Sequence, residues 1–324
     1  MGEFELIDRF FRRGPGGRGI ALGIGDDCAL LAPQPGMQLA VSTDLLLEGR
    51  HFFPDVDPQR LGHKALAVNL SDLAACGARP LAFTLALALP QADDAWLAPF
   101  AGGLLALADA HGCALVGGDT TRGPLAICIT VFGEVPTGEA LLRSGARAGD
   151  DLYVSGTLGD ARLALEVLRG SVQASPGVAA AARDRLETPT PRLALGQALR
   201  GLATSAIDLS DGLLGDLGHV LRQSAVGARI DVRSALDLFA AGREHAGVVP
   251  ADQQLAWVLA GGDDYELAFT APPSRRAQIT AVAATTGTPV ARIGAIETAP
   301  GVRLVDADGR AVDAPSTGGF DHFR

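Results

Sequence analysis

Apolar and polar positions in the first half of the chain alternate between helical and strand-like periods. Apolar side chains near helical spacing (Phe4, Leu6, Ile7, Phe10, Phe11) predict a short amphipathic helix, which ends at the glycines and proline of residues 14–17. Beyond it, the pattern predicts strands at 39–47, 80–89, 113–116 and 125–135, and helices at 58–77 and 93–112.

The second half repeats the alternation after a stretch rich in glycine and charge at 136–151. We therefore expect two domains, 1–137 and 138–324. Both halves predict an α/β fold of the α+β sandwich type. The pattern gives strands at 152–155, 206–209, 228–232, 265–270 and 289–296, helices at 160–168, 192–202, 213–222 and 274–286, a loose insert at 170–191, and a hairpin turn at 306–309.

The charge composition excludes several classes of protein. Lys+Arg number 27 against 37 for Asp+Glu, which gives a formal net charge of -10. Lys64 is the only lysine, and its sequence context matches no P-loop, Schiff-base or pyridoxal enzyme. We interpret it as a charge on a helix surface. Because the arginines form no run that could displace counterions, nucleic acid is not expected as a partner.

The cysteines and the apolar segments indicate a cytoplasmic protein that does not enter a membrane. The four cysteines lie in apolar contexts, without CxxC spacing or the density of a disulfide scaffold. The chain shows no apolar segment after Met1 typical of a signal peptide, and charged residues or proline interrupt each apolar run before it reaches membrane-spanning length.

Aspartates beside small residues recur directly after apolar runs. Turn and helix-capping chemistry could explain any one of these sites alone. Together they resemble the oxygen ligands of hard divalent cations, and Mg²⁺ is usually held by a few carboxylates, waters and substrate phosphates. The six segments are Gly23–Asp27, Ser42–Asp44, Asn69–Asp72, Gly117–Thr121, Asp208–Gly212 and Gly261–Asp264.

Two details of these clusters favour a phosphate site that depends on metal ions. Gly25 and Gly118 allow the main chain to approach phosphate oxygens closely. Asn69 and Asp72, three residues apart on a predicted helix, project from one face, so that Asp72 is aimed across to Asp44 or Asp27.

Seven ordered segments of the sequence resemble the thiamine-monophosphate kinase family of the aminoimidazole ribonucleotide synthetase-like superfamily. They are GIGDDCALL, STDLLLEGRHF, KALAVNLSDLAACGARP, GGDTTRGPL, RSGARAGDDLYVSGTLGD, SAIDLSDGL and GGDDYELAF. The resemblance covers essentially the whole chain. It implies two domains of that fold, with mixed sheets flanked by helices, and a homodimer formed through the N-terminal domains.

The resemblance also implies phosphorylation of thiamine monophosphate to thiamine diphosphate by ATP, with direct attack of the substrate phosphate and several Mg²⁺ ions. We expect no catalytic general base, because a phosphate oxygen is already ionised near neutral pH. The residues that match metal positions are Asp27, Ser42, Thr43, Asp44, Asp72, Asp119, Asp208 and Asp211. Those that match nucleotide positions are Gly118, Asp119, Arg143 and Ser210, and those that match substrate positions are His51, Asp263 and Phe320.

Two substrate positions depart from the usual family pattern. Asp263 stands where glutamate is common, and Phe320 stands where tyrosine or tryptophan is common. Phe320 can stack on a thiamine ring but cannot donate a hydrogen bond. Without the resemblance, three of the matched residues have a simpler interpretation. Arg143 would be a surface arginine, Phe320 would anchor the C-terminal tail, and His51 would be a structural histidine on a strand-like segment.

Two other functions stay open at this point. One is another ATP-dependent enzyme of the same superfamily, such as one for aminoimidazole ribonucleotide synthesis or the carbamoyl dehydration of hydrogenase maturation. The other is a module that binds a metal or a nucleotide without turnover. The acceptor contacts His51, Asp263 and Phe320 separate the main hypothesis from both.

Overall fold

The computed structural model of this chain describes residues 2–13, 17–241 and 249–313. The chain divides into two compact units. Unit 1 comprises Met1–Leu73 and Ala78–Gly138, and unit 2 comprises Ala74–Gly77 and Glu139–Arg324. Within the described ranges, no helix has both the length and the apolar character needed to cross a membrane.

Unit 1 combines two long helices with a four-stranded sheet. Its helices are α1 (Glu3–Leu6), which continues as a π-helical turn (Ile7–Phe11), α2 (Pro58–Ala75) and α3 (Asp94–His111). Its strands are β1 (Ile20–Leu22), β2 (Leu30–Leu31), β3 (Met37–Leu47), β4 (Arg79–Leu89), β5 (Ala114–Arg122) and β6 (Ala126–Pro136).

The order of strands in this sheet is β3-β6-β4-β5, which places β3 and β5 at opposite edges. The β3–β6 and β6–β4 pairs are antiparallel, whereas β4 and β5 run parallel. β1 and β2 pair separately. Local signals start α2 and α3: the Asp57 carboxylate accepts from the main-chain N–H of Arg60, and the Asp93 carboxylate accepts from that of Ala95.

Unit 2 is built on a seven-stranded mixed sheet in the order β13-β12-β9-β11-β7-β10-β8. Among the strands that the structure describes in this sheet, only β12 and β9 pair in parallel. The strands are β7 (Asp151–Ser155), β8 (Ser205–Asp208), β9 (Gly227–Asp231), β10 (Leu267–Ala271), β11 (Val290–Glu297), β12 (Gly301–Val305) and β13 (Ala311–Val312). The helices are α4 (Asp160–Leu168), α5 (Pro176–Glu187), α6 (Leu193–Ala198), α7 (Leu213–Ser224), α8 (Val232–Leu236), α9 (Ala251–Ala260) and α10 (Arg276–Thr286). The prediction of mixed sheets flanked by helices is confirmed.

Three expectations about single elements were wrong. The insert at 170–191 is not loose, because α5 occupies its middle. β5 is longer than predicted, so Gly117–Thr121 lie inside the strand rather than after it. Lys64 is not a surface charge but only 3% exposed, because α2 is covered on nearly every side.

Candidate functional site

A cavity of about 460 Å³ lies beside the edge strand β5 in unit 1. Three carboxylates line it: Asp26 and Asp27 from the loop after β1, and Asp119 from β5. All three are exposed. The main chain of Gly25 and Gly118 also lines this cavity. It therefore brings together two predicted metal ligands, Asp27 and Asp119, with the predicted nucleotide contact Gly118.

Gly118 is required by the packing of β5 against β4. Its φ is +150°, and a Cβ added there would lie 1.9 Å from the carbonyl oxygen of Leu85. Gly25 likewise has a positive φ, of +129°. The absence of a side chain at both positions exposes the main chain along the cavity wall, where an anionic group can approach it.

Arg12 is a cationic residue of this cavity that sequence reasoning missed. It lines the cavity, and its Nη2 lies 3.6 Å from the position that a Cβ on Gly25 would take. Its Nε donates to the Asp8 carboxylate at 2.8 Å. In the sequence, Arg12-Arg13 is only a short pair of charges. No local signal indicates that the N-terminal helical segment folds against the loop of Asp27.

A second group of predicted ligands joins β3 to α2. Ser42 Oγ donates to Asp72 Oδ2 at 2.5 Å, and Asn69 Oδ1 accepts from the main-chain N–H of Asp44 at 3.1 Å. Asn69 and Asp72 therefore share one face of α2, as their spacing predicted. Asp72 is thereby joined to Ser42, one of the other predicted ligands.

The side chain of Thr43 does not join this group. It lies on the opposite face of β3, where its hydroxyl hydrogen-bonds to that of Thr130 at 2.8 Å. Asp119 lies on β5, three inter-strand spacings or about 14 Å from β3. Unit 1 thus holds its predicted ligands as two separate groups, one around the cavity and one between β3 and α2.

The donor atoms of these groups fit Mg²⁺. In the ranges that the structure describes, no three His, Cys, Asp or Glu side chains are grouped so that they could hold a metal ion. Pairs of carboxylates and hydroxyls are nevertheless the protein share of a typical Mg²⁺ site, which completes its shell with water and substrate phosphate oxygens. These groups therefore suit Mg²⁺ that arrives with a phosphate better than a cation caged by protein alone.

In unit 2, main-chain hydrogen bonds join the loop after β8 to the loop before β10. The N–H of Asp263 donates to the carbonyl of Ser210, and the N–H of Tyr265 donates to that of Leu209, each at 2.8 Å. The N–H of Leu209 donates in turn to the carbonyl of Glu266, also at 2.8 Å. A predicted nucleotide contact, Ser210, is thereby placed beside a predicted substrate contact, Asp263.

Asp216, on α7, holds the loop that carries the predicted ligand Asp211. Its Oδ2 accepts from the main-chain N–H groups of Asp211 at 3.0 Å and Gly212 at 3.1 Å. Burial raises the pKa of Asp216 to about 7, and the nearby charge of Asp211 adds to the increase. Asp208, the last residue of β8, is buried as well.

The segment Asp263–Tyr265 has an unusual backbone. Asp263 and Tyr265 have φ values of +61° and +50°, in the left-handed region. The hydroxyl of Tyr265 donates to the Asp263 carboxylate at 3.2 Å. Between them, the buried Asp264 carboxylate accepts from the N–H of Gly159, at the start of α4. Burial raises the pKa of Asp264 well above its ordinary value, although Arg185 opposes this.

The main chain of Arg143 lies beside the end of α7. The Arg143 carbonyl accepts from the Ser224 hydroxyl, at the end of α7, at 3.3 Å. Farther up α7, the pKa of His219 is lowered first by burial and then by Arg222 and Arg143, while Asp211 raises it. The predicted phosphate-binding arginine and the predicted ligand Asp211 thus act on the same histidine.

Two predicted substrate contacts remain, His51 and Phe320, and the structure describes only the first of them. His51 lies on a turn rather than a strand, and its Nδ1 accepts from the N–H of Leu47 at 2.9 Å. This bond places the proton of the neutral ring on Nε2. Phe320 lies outside the described residues.

Two family models match the chain. The N-terminal domain of AIR synthase related proteins matches residues 25–135, and their C-terminal domain matches residues 147–307. The thiamine-monophosphate kinase of Salmonella typhimurium (strain LT2) is 47% identical over 325 residues, which cover 99% of this chain and 98% of the relative.

Solved structures agree with the sequence relatives. The crystal structure of thiamine-monophosphate kinase from Stenotrophomonas maltophilia K279a has a TM-score of 0.83 and 46% identity, over 91% of this chain and 93% of that one. AaThiL complexed with AMPPCP and TMP has a TM-score of 0.76 and 30% identity, over 90% and 89% of the two chains. The chain therefore belongs to the thiamine-monophosphate kinases, a family built from the two AIR synthase related domains.

Proposed function

We propose that this protein transfers the γ-phosphoryl group of ATP to thiamine monophosphate, yielding thiamine diphosphate and ADP. The observation that carries the proposal is the cavity of unit 1, where Asp27 and Asp119 face exposed glycine main chain in a member of this family. Its lining contains no lysine, and Arg12 carries a single positive charge, so most of the negative charge of a nucleotide needs another source of neutralisation there.

Several Mg²⁺ ions are the source of neutralisation that fits these residues. Asp27 and Asp119 would hold Mg²⁺ at the cavity. Ser42, Asp44 and Asp72 would hold it beside β3, where Thr43 can contribute only through its main chain. Asp208 and Asp211 would hold it in unit 2. When bound, Mg²⁺ offsets the repulsion between the two phosphates that react. Gly118, Arg143 and Ser210 contact the nucleotide, with Arg143 on a phosphate group.

The acceptor needs orientation rather than activation. Its phosphate oxygen is already ionised near neutral pH, so direct in-line attack on the γ-phosphorus requires no residue to remove a proton. His51 donates from Nε2 to the acceptor phosphate, Asp263 binds the acceptor, and Phe320 stacks on the thiamine ring. AaThiL, whose solved complex contains both AMPPCP and TMP, supports a site for two phosphate ligands in this family.

The apolar face of β3 supports the proposal of a homodimer formed through unit 1. Alternate side chains of this edge strand are exposed: Leu39 by 46%, Val41 by 57%, Leu45 by 50% and Leu47 by 39%. An unpaired edge strand with a row of apolar side chains is typical of a surface that another chain covers.

A cytoplasmic location is consistent with the state of the cysteines. All four lie in described residues, and none of them forms a disulfide.

Product analysis with paired variants tests this function. The purified protein, Mg²⁺-ATP and thiamine monophosphate should yield thiamine diphosphate by chromatography, and Asp119→Asn should reduce turnover by about 100-fold or more, because it removes charge from the cavity. Asp109→Asn is the control, since Asp109 pairs with Arg13 at the surface. Nucleotide binding without product would favour a binding module, and ADP formation without thiamine diphosphate would favour another enzyme of the superfamily.

A further inference from the structure

A buried ion cluster lies beneath the loop that carries Asp263. The Glu266 side chain is fully buried and accepts hydrogen bonds from two arginines. Arg192 binds it through two atoms, with Nε 2.6 Å from Oε2 and Nη2 2.5 Å from Oε1. Arg185 donates from Nη2 to Oε1 at 2.8 Å, and the Ser155 hydroxyl donates to Oε2 at 2.5 Å. The carboxylate is thus neutralised by Arg192 independently of Arg185.

Arg185 differs from Arg192 because it also holds the main chain of the loop. Its Nη2 lies 3.2 Å from the carbonyl oxygen of Asp264 and 3.4 Å from that of Thr157. One guanidinium group therefore connects the buried Glu266 to the loops that precede β10 and follow β7. Asp264 stands directly between two non-glycine residues with left-handed backbone, Asp263 and Tyr265.

Left-handed φ values are unfavourable for residues other than glycine, and they persist only where surrounding contacts impose them. The contacts at this loop come from three directions. Ser210 and Leu209 hold the N–H groups of Asp263 and Tyr265, Gly159 holds the Asp264 carboxylate, and Arg185 holds the Asp264 carbonyl. Among these contacts, Arg185 makes the one that comes from a side chain on a helix, α5; the others come from main-chain groups of neighbouring loops.

We infer that Arg185 is a positioning residue for the acceptor: it fixes the Asp264–Tyr265 peptide, which follows Asp263 in the loop, and so the direction in which the Asp263 carboxylate meets thiamine monophosphate. This inference rests on the proposed function of Asp263. Its consequence is specific to one substrate. Loss of Arg185 should weaken use of the acceptor more than use of ATP.

Steady-state kinetics of Arg185→Ala tests this role. KM for thiamine monophosphate should rise about tenfold or more, while KM for Mg²⁺-ATP stays within about twofold. Arg185→Lys, which keeps the charge and one donor, should recover part of the loss. Arg183→Ala is the matched control, because Arg183 lies on the same helix and pairs with Glu187 instead. It should leave both constants unchanged.

Two further variants distinguish positioning from a structural effect. Arg192→Ala removes contacts to Glu266 only, so its effect on the acceptor KM should be smaller than that of Arg185→Ala. If the Arg185→Ala protein is unfolded by circular dichroism, titration of the folded Arg185→Lys protein with thiamine monophosphate replaces it, and binding several-fold weaker than wild type is expected. Unchanged binding there would overturn the inference.

Asp263→Ala separates failure of this inference from failure of the proposed site. If Asp263→Ala raises the acceptor KM and Arg185→Ala does not, or if Arg185→Ala raises both KM values equally, the positioning role is wrong and the acceptor site stands. If Asp263→Ala leaves the KM for thiamine monophosphate unchanged, Asp263 is not an acceptor contact. The proposed acceptor role of Asp263 and the positioning role of Arg185 then both fail.

Discussion

Cys113 immediately precedes β5, the strand that carries Gly118 and Asp119. Its thiol is buried, and its main-chain N–H donates to the carbonyl of Ala108 at the end of α3. Burial raises the pKa of Cys113 from 9.0 to about 12, because a thiolate loses its hydration there. Cys28, beside Asp27, is exposed. The two thiols should therefore differ strongly in reactivity.

A thiol reagent at pH 8 should modify Cys28 in the folded protein and reach Cys113 only after unfolding. The buried protonated thiol also favours folding, and this contribution is complete below pH 9 and decreases as the pH rises from 9 towards 12. Mass spectrometry of labelled peptides checks the order of reaction, and Cys28→Ala is the control for Cys113. Equal labelling rates in the native protein would contradict the burial of Cys113.

Single residues show where sequence reasoning succeeded and where it could not. The spacing of Asn69 and Asp72 was sufficient to predict their common face, since helix geometry is local. The position of Arg12 depends on how the N-terminal segment folds against a distant loop, which no local pattern records. Lys64 was misread because a charged side chain suits a surface, whereas its helix is buried nearly all round.

At the scale of elements, α2 and α3 cross at glycines. A Cβ at Gly62 would lie 2.0 Å from the carbonyl oxygen of Phe100, and a Cβ at Gly103 would lie 1.9 Å from that of Gln59. The two main chains therefore approach more closely than any other residue permits. Because α2 also carries Asn69 and Asp72, this crossing helps to fix their position against β3.

The neighbouring glycines of α3 should respond oppositely to alanine. Gly103→Ala should lower the free energy of unfolding by about 1–3 kcal/mol, because the helices must separate. Gly102→Ala is the matched control: a Cβ there meets nothing within 4 Å, and the better helix propensity of alanine should add about 0.5–1 kcal/mol. Urea unfolding measures both. A Gly103→Ala protein as stable as Gly102→Ala would contradict this packing.

The elements also mark the limits of sequence reasoning. Most strands and helices followed from periodicity, because the apolar pattern of each is contained in its own segment. α5 was missed although its signals were present: Ser175 caps its start by accepting from Val178, and Pro176 occupies the first turn. Nearby glycine and prolines obscured them. As a result, the sequence pattern gave no indication that Arg185 lies beside the loop of Asp263.

At the scale of the whole molecule, the apolar row on β3 predicts self-association. Light scattering should give twice the chain mass of 33.2 kDa for the wild type. Changing Val41 and Leu45 to glutamate should produce a monomer, because burying two carboxylates in the interface is unfavourable. Leu142→Glu, at an equally exposed leucine in unit 2, should remain dimeric. A wild-type monomer, or a dimer that survives both changes on β3, would exclude this interface.

The activity proposed for this protein is direct phosphoryl transfer from ATP to thiamine monophosphate with Mg²⁺. The most direct measurement is phosphorus NMR of the purified protein with both substrates, in the presence and absence of Mg²⁺. The two coupled signals of thiamine diphosphate should grow in equal amount to ADP, with no orthophosphate, and the reaction should stop once EDTA removes the metal. ATP consumption that releases orthophosphate and leaves thiamine monophosphate unchanged would contradict it.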